Sequence, residues 1–102
     1  MSESFSVYDS ADYIDSDADA VEYLKACMEE GGDDPAFLTH ALGVVARARN
    51  MSDIARQAGM TRAGLYRALD ANGNPTLATV VGVLRALGCR LSVAPLGEER
   101  AA

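Results

Sequence analysis

The 102-residue sequence predicts a mainly α-helical domain of five helices, with an acidic N-terminal arm and one short C-terminal β-strand. Apolar residues recur at three- and four-residue spacing in five segments, which is the period of amphipathic helices. Only the segment from residue 89 to 93 alternates apolar and other residues in the manner of a strand. The length suffices for one compact domain and little more. We therefore expect an arm over 1–16, a domain over 17–95 and a flexible tail over 96–102.

Two helices precede the central motif. The sequence Asp19-Ala-Val-Glu22 resembles a capping box with aspartate as the cap, and the helix it opens should end at Gly31-Gly32. One face of this helix carries Val21, Leu24 and Met28. Asp34-Pro35 then restarts a helix, because proline is favoured at the first helical position. This second helix should run to about Arg49 with an apolar face formed by Phe37, Leu38, Ala41, Leu42 and Val45.

Residues 51–70 have the spacing of a helix-turn-helix motif. Its first helix carries a short apolar stripe of Ile54, Ala55 and Ala58, and the Ser52 hydroxyl can cap it. Gly59 should end this helix, since a tight interhelical turn commonly needs a residue with positive φ. Ala55 is small, as the contact between two helices crossing over a short turn requires.

The second helix of the motif presents a candidate surface for DNA. Thr61 can cap it, and Leu65 and Leu69 lie four residues apart and so face inward. The outward residues are Arg62, Ala63, Tyr66 and Arg67. In a helix-turn-helix such residues enter the major groove, where Arg62 is expected to read guanine and Arg67 to contact phosphate. The alternatives are an ordinary helical hairpin for the whole motif and a packing role at the helix rim for Tyr66.

The C-terminal part should contain a fifth helix and a strand. Thr76 or Asn74 can cap the helix, and Gly88 should stop it. Its apolar residues are Leu77, Val80, Val81, Leu84 and Leu87. In the strand, Cys89, Leu91 and Val93 alternate with less apolar neighbours, and Pro95 ends the pattern. A strand needs a partner, either the Val7-Tyr8 segment or the same strand of a second copy; the second copy is favoured because helix-turn-helix proteins commonly bind as twofold dimers. The alternative is an irregular tail over the core.

Charge is divided sharply along the chain, whose net charge is −6. Residues 1–34 hold eleven acids against Lys25, which gives −10, and residues 35–102 hold eight arginines against four acids, which gives +4. Such asymmetry predicts an acidic arm for one partner and a basic body for another. Arginine suits bidentate contacts to phosphate or guanine better than lysine does.

Other classes of function find little support in the sequence. Cys27 and Cys89 are far apart in the chain and lie in no metal-binding or redox spacing, so buried, reduced thiols are expected. His40 is the only histidine, and no motif neighbour of a catalytic triad or metal site accompanies it. No phosphate-binding or dinucleotide-binding glycine motif is present. We expect no enzyme activity, no cofactor and no metal. With no signal peptide and no apolar run of membrane-spanning length, we expect a cytoplasmic protein.

Five segments of the chain resemble the addiction-module antidote proteins, which are HigA-type antitoxins with a Cro/cI-type helix-turn-helix. The resemblance covers roughly residues 8–95. It rests on Tyr8-Asp-Ser-Ala-Asp-Tyr13, Leu42-Gly-Val-Val-Ala-Arg-Ala-Arg-Asn-Met51, Gly59-Met-Thr-Arg-Ala-Gly-Leu-Tyr66, Gly73-Asn-Pro75 and Ala86-Leu-Gly-Cys-Arg-Leu-Ser-Val93. Many relatives carry serine or threonine where this chain has Gly64. Where the wider class often has a glutamine that touches a backbone phosphate, this chain has Met51 and Ser52, so the Ser52 hydroxyl is expected to take that contact.

The resemblance implies an antitoxin that neutralises a small RelE-superfamily ribonuclease and represses its own operon. The expected partners are operator DNA, a small basic toxin and a second copy of the chain. A ribonuclease needs a basic cleft for RNA, and the acidic arm could occupy it. The candidate contacts to the toxin are Tyr8, Asp9, Asp12, Tyr13 and Ile14. One alternative for the arm is a solubilising role. The alternatives for the whole chain are a stand-alone Cro/cI-type repressor without a toxin and an interaction protein whose helix-turn-helix no longer binds DNA.

Overall fold

The structure, a computed structural model, describes residues 14–97 and contains five α-helices there. They are α1 (Asp17–Gly31), α2 (Pro35–Arg49), α3 (Met51–Gln57), α4 (Arg62–Ala68) and α5 (Leu77–Ala86). Helix α1 packs on α2, α2 packs on α3, and α3 also contacts α4 and α5. The number and order of the predicted helices are confirmed for this part of the chain. None of its helices is long and apolar enough to cross a membrane.

Side-chain caps fix where the helices begin. Helix α2 begins at Pro35, as predicted, and Asp34 caps it. Thr76 caps α5, as predicted, and its hydroxyl accepts a hydrogen bond from the Thr79 N–H at 3.1 Å. The predicted cap of α1 was wrong. Ser16 is the cap, and its Oγ accepts from the Asp19 N–H at 3.1 Å, while the Asp19 carboxylate accepts from the Asp15 N–H at 3.0 Å. The cap thus lies three residues earlier than predicted, and Asp19 is the third residue of the helix.

The cap of α3 also differs from the prediction. Asn50, and not Ser52, caps this helix, and its Oδ1 accepts from the Asp53 N–H at 3.1 Å. Ser52 is an exposed residue of the first turn. Asn50 has a φ of 107° and is the only non-glycine residue among 14–97 with a positive φ. One residue separates α2 from α3, and asparagine suits that position because it tolerates positive φ and offers a capping oxygen.

We expect Asn50→Ala to lower the free energy of unfolding by about 2 kcal/mol, since it removes the cap and places a Cβ without hydrogen-bonding ability at positive φ. Asn50→Gly also removes the cap but accepts the conformation, so about 0.5 kcal/mol is expected. Ser52→Ala should change stability by less than about 0.5 kcal/mol. Urea unfolding followed by circular dichroism measures all three. A larger loss for Ser52→Ala than for Asn50→Ala would contradict the observed cap.

The hydrophobic core lies where the five helices meet. Its largest fully buried side chains are Leu65, Leu87, Val45 and Val83. In α1 the buried face consists of Ala20, Tyr23, Leu24 and Cys27. Met28 was predicted to share this face, but 42% of its surface is exposed. In α5, Leu84 and the following Leu87 are buried as predicted, whereas Leu77 is 69% exposed and Thr79 and Val83 are buried instead.

The predicted C-terminal strand is absent from residues 14–97. After the last bond of the α5 end, from the Cys89 N–H to the Leu84 carbonyl at 2.8 Å, the chain continues as an irregular segment. Leu91 is 45% exposed and Val93 is 96% exposed. A strand exists only when its backbone pairs with another strand, and no described segment pairs with this one. The suggested partner within the chain, Val7-Tyr8, lies outside the described residues.

Candidate nucleic-acid interface

Helices α3 and α4 are joined by a short turn whose conformation depends on glycine. Gly59 has a φ of 75°, as the sequence predicted. The Met60 N–H donates to the Ala55 carbonyl at 2.9 Å, so the chain folds back on α3 immediately after it ends. An added Cβ at Gly59 would meet nothing within 4 Å. The position therefore needs glycine for its backbone conformation and not for space.

The turn is held against α5 by close contacts. A Cβ added to Gly82 in α5 would lie only 3.0 Å from the Cβ of Ala58, the residue that follows α3. The end of α3 can approach α5 this closely because Gly82 has no side chain. The Thr79 hydroxyl also donates to the Met60 sulfur at 3.6 Å. Helix α5 thus fixes the turn from which α4 departs.

Helix α4 is anchored by two leucines and exposes its opposite face. Leu65 has no exposed surface and Leu69, just after the helix, is 3% exposed, so both face the core as predicted. Thr61 caps the helix, and its Oγ1 accepts from the Gly64 N–H at 3.0 Å. The exposed residues are Arg62, Ala63, Tyr66 and Arg67, which are the residues predicted to face outward. We call these four residues the α4 face.

Both charged residues of the α4 face are basic, and no acidic residue occurs within α4. Arg56 on α3 is paired with Asp53, and Arg49 at the end of α2 is 3.2 Å from Asp17. Neither Arg62 nor Arg67 forms an ion pair within residues 14–97. Two guanidinium groups on one exposed surface are thus available to an anionic partner.

The remaining predicted site residues are placed differently. Ser52 is exposed on the first turn of α3, and the Thr61 hydroxyl, although exposed, is engaged as the cap of α4. Tyr8, Asp9, Asp12 and Tyr13 lie outside the described residues. Ile14 is 5% exposed and belongs to the core. It therefore fixes the end of the predicted arm to the domain and is not available as a surface contact.

Sequence reasoning missed Arg47, an exposed residue of α2 beside the end of α4. A Cβ added to Gly43 would lie 3.3 Å from the Arg47 Nη1 and 3.0 Å from the Leu69 carbonyl oxygen, so both groups lie close to Gly43. Arg47, His40 and Tyr66 line the same cavity of about 220 Å³ between α2 and the C-terminal end of α4. No local pattern in the sequence indicated this placement, although Gly43, one helical turn before Arg47, leaves room for the helix end. Tyr66 is 49% exposed while lining this cavity, which is compatible with both of its predicted roles.

Both cysteines are free thiols, as predicted; Cys27 is buried, as expected, but Cys89 is only partly buried. Burial is the main cause that raises the pKa of the Cys27 thiol; the nearby Glu30 raises it further and a hydrogen bond with Tyr23 opposes the shift. Burial and the charge of Asp17 likewise raise the pKa of Cys89. The native state thus favours the protonated thiols. This contribution to stability is present at neutral pH and is lost as the pH rises through the pKa values of the unfolded and then the folded thiols.

We expect both thiols of the native protein to react slowly with Ellman's reagent at pH 8, because the thiolate is the reactive form and its population is reduced. Cys89 is partly exposed and should react before Cys27, which is 5% exposed. The Cys89→Ser variant isolates the Cys27 rate, and the same protein in concentrated guanidinium gives the unprotected rate. Equal rates for Cys27 in the native and denatured protein would contradict its burial.

No group of histidine, cysteine or carboxylate side chains among residues 14–97 is arranged to hold a metal ion.

Comparison with known proteins places the chain in a family. Residues 4–95 match the family model described as "Probable addiction module antidote protein". A relative from Haemophilus influenzae, named only as an uncharacterized protein, is 44% identical over 93 residues, which cover 91% of this chain and 94% of the relative. No solved structure matches the chain significantly. On the extent of the family match and the identity to the relative, the chain belongs to the family of probable addiction module antidote proteins.

Proposed function

We propose that the chain is a DNA-binding antitoxin of a type II toxin–antitoxin module, of the HigA type with a Cro/cI-like helix-turn-helix. In this proposal it neutralises a RelE-superfamily ribonuclease in the cytoplasm and represses its own operon as a homodimer. Membership of the antidote family implies that the partner is a toxin. The observation that carries the DNA-binding part is the α4 face, where two arginines without ion pairs in residues 14–97 lie on a helix anchored by buried leucines. We assign the chain no catalytic role and no cofactor.

Helix α4 enters the major groove with its N-terminal end first. Arg62, the first residue of the helix, contacts guanine through its two guanidinium donors, and Ala63 lies beside the base edges. Tyr66 and Arg67 lie one turn further along, where Arg67 contacts phosphate. Ser52 at the start of α3 and Thr61 before α4 lie next to the backbone of the DNA.

The negative net charge of the chain does not oppose this assignment. Eleven of the fifteen acids are in residues 1–34. Helix α1, which holds several of them, packs on α2, whereas α4 packs on α3. The local charge of the α4 face determines how it meets a phosphate backbone, since charges beyond about 10 Å are largely screened at ordinary ionic strength.

The acidic arm supplies contacts to the toxin through Tyr8, Asp9, Asp12 and Tyr13, with carboxylates that replace RNA phosphates in a basic cleft. Homodimer formation uses the segment that contains Cys89, Leu91 and Val93. The exposed side chains of Leu91 and Val93 support this proposal. In a twofold pair of strands, the segment of each copy would cover these side chains of the other.

Two measurements test the proposed function. Expression of the open reading frame adjacent to this gene should arrest growth, and this chain supplied in trans should relieve the arrest. The purified chain should bind DNA from upstream of its gene with an affinity that falls steeply as salt rises. Arrest that the chain cannot relieve, together with retained DNA binding, would replace the antitoxin by a stand-alone repressor.

The arm is tested by deleting residues 1–13, which leaves the buried Ile14 and the Ser16 cap of α1 in place. We expect relief of growth arrest to weaken while DNA binding is retained. Unchanged relief would assign the arm a solubilising role.

A further inference from the structure

A second exposed feature lies at the end of the molecule where α1 meets α2. An open groove of about 830 Å³ is formed by the last turn of α1, the residues between α1 and α2, and residues 94–96. We call it the turn groove. None of its lining residues belongs to α3, α4 or α5, so it shares no residue with the α4 face.

The turn groove presents apolar side chains to solvent. Met28 of α1 is 42% exposed and Leu96 is 90% exposed, and both residues line the groove. Pro95 is exposed beside Leu96. These side chains have an apolar surface whose burial by a partner would be favourable.

The turn groove is strongly acidic, and we call its carboxylates the rim. Four carboxylates line it, those of Glu29, Glu30, Asp33 and Asp34, and Lys25 is the only cation among the lining residues. Lys25 is 3.9 Å from Glu22, which lies outside the groove. Among residues 14–97, none of the four carboxylates forms an ion pair. The groove therefore combines exposed apolar side chains with four carboxylates, of which that of Asp34 also caps α2 and the other three form no ion pair within residues 14–97.

The negative charge of the groove indicates which kind of partner it can bind. Nucleic acid is repelled by the four carboxylates. The two ends of the chain outside the described residues are also acidic: residues 1–13 hold three acids and no lysine or arginine, and residues 98–102 hold two acids and one arginine. Neither end complements the rim. A basic protein segment does, provided that it also offers an apolar side chain to contact Met28 and Leu96.

We propose that the turn groove binds a basic segment of the toxin, in which lysine or arginine residues flank an apolar side chain. This inference rests on the proposed function, because it takes the toxin as the partner. It adds a contact surface separate from the acidic arm. It also implies that toxin in the groove leaves the α4 face uncovered, so that one chain can hold toxin and DNA together.

The test uses the full chain and the purified product of the adjacent reading frame, with the dissociation constant measured by isothermal titration calorimetry. The double variant Glu29→Lys/Asp33→Lys reverses two rim charges. The matched control makes the same +4 change in net charge with four lysines at exposed neutral positions outside both the groove and the arm: Gln57→Lys, Asn72→Lys, Asn74→Lys and Ala78→Lys. We expect the rim variant to weaken binding at least about tenfold and the control less than about threefold, since like charges brought into contact oppose association.

A second variant tests the apolar lining of the groove. Leu96→Ser should weaken binding severalfold without changing its salt dependence, whereas the rim variant should reduce that dependence. Circular dichroism verifies that every variant is folded, and DNA affinity should be unchanged in Leu96→Ser.

The outcomes separate this inference from the proposed function. A wild-type chain that does not bind the product of the adjacent frame would contradict the proposed function, and the groove assignment with it. Wild-type binding that the rim variant retains would overturn the groove assignment alone. Equal weakening by the rim variant and its control would do the same, because it would show attraction by general charge and not by the groove.

Discussion

Leu65→Ala is expected to lower the free energy of unfolding by about 3 kcal/mol, the range for a fully buried leucine replaced by alanine. Leu65 has no exposed surface and lies at the centre of α4, so the substitution leaves a cavity beneath the α4 face. A domain of this size has a total stability of only about 5–15 kcal/mol, which makes such a loss visible as a clear fall in melting temperature. Thermal and urea unfolding by circular dichroism measure it.

Leu77→Ala is the matched control, because it makes the same chemical change on a helix where the leucine is 69% exposed. We expect it to cost less than about 1 kcal/mol. Similar losses for the two variants would contradict the orientation of α4 or of α5. The pair also matters for function, since Leu65→Ala should reduce DNA binding only through loss of folded protein.

The sequence predicted α4 and its turn well because the determinants are local. Gly59 supplies the positive φ, Thr61 supplies the cap, and Leu65 and Leu69 define the buried side with one interval of four residues. Each of these rules acts over a few residues, so the tertiary structure had little opportunity to override it.

The buried faces of α1 and α5 were predicted less accurately. Leu77 and Met28 extend the apolar stripes of their helices by regular spacing, yet both lie at places where no other helix of residues 14–97 covers them. Thr79 and Val83 are buried because α5 turns their side toward the core. The sequence did not predict which side would be buried, since α5 has apolar residues on several sides.

The C-terminal strand was a prediction of a different kind. Alternation at Cys89, Leu91 and Val93 indicated which side chains a strand would bury, but it could not indicate where the second strand would come from. The observed exposure of Leu91 and Val93 shows that residues 14–97 of one chain do not supply it. Arg47 was missed for a related reason, since its position beside the end of α4 depends on how α2 packs and not on any local pattern.

Arg62→Ala is expected to weaken binding to the operator by about 1–3 kcal/mol and to relax the preference for one base pair, while binding to unrelated DNA changes little. Arg67→Ala should instead weaken binding to all sequences and reduce the salt dependence by about one counterion. The two residues lie at opposite ends of α4 and form no ion pair within residues 14–97, so neither substitution leaves a carboxylate there unpaired. Fluorescence anisotropy with operator and scrambled duplexes at several salt concentrations measures both effects.

Arg85→Ala removes the same charge from the exposed surface of α5 and serves as the control for net charge. If all three variants lose affinity equally on both duplexes, attraction is general and α4 does not read sequence. If Arg62→Ala alone discriminates between the duplexes, base recognition is located at the first residue of α4. That result would also bear on regulation: an α4 face committed to the operator leaves the turn groove and the arm as the surfaces for toxin, so repression and neutralisation could act on the same molecule at the same time.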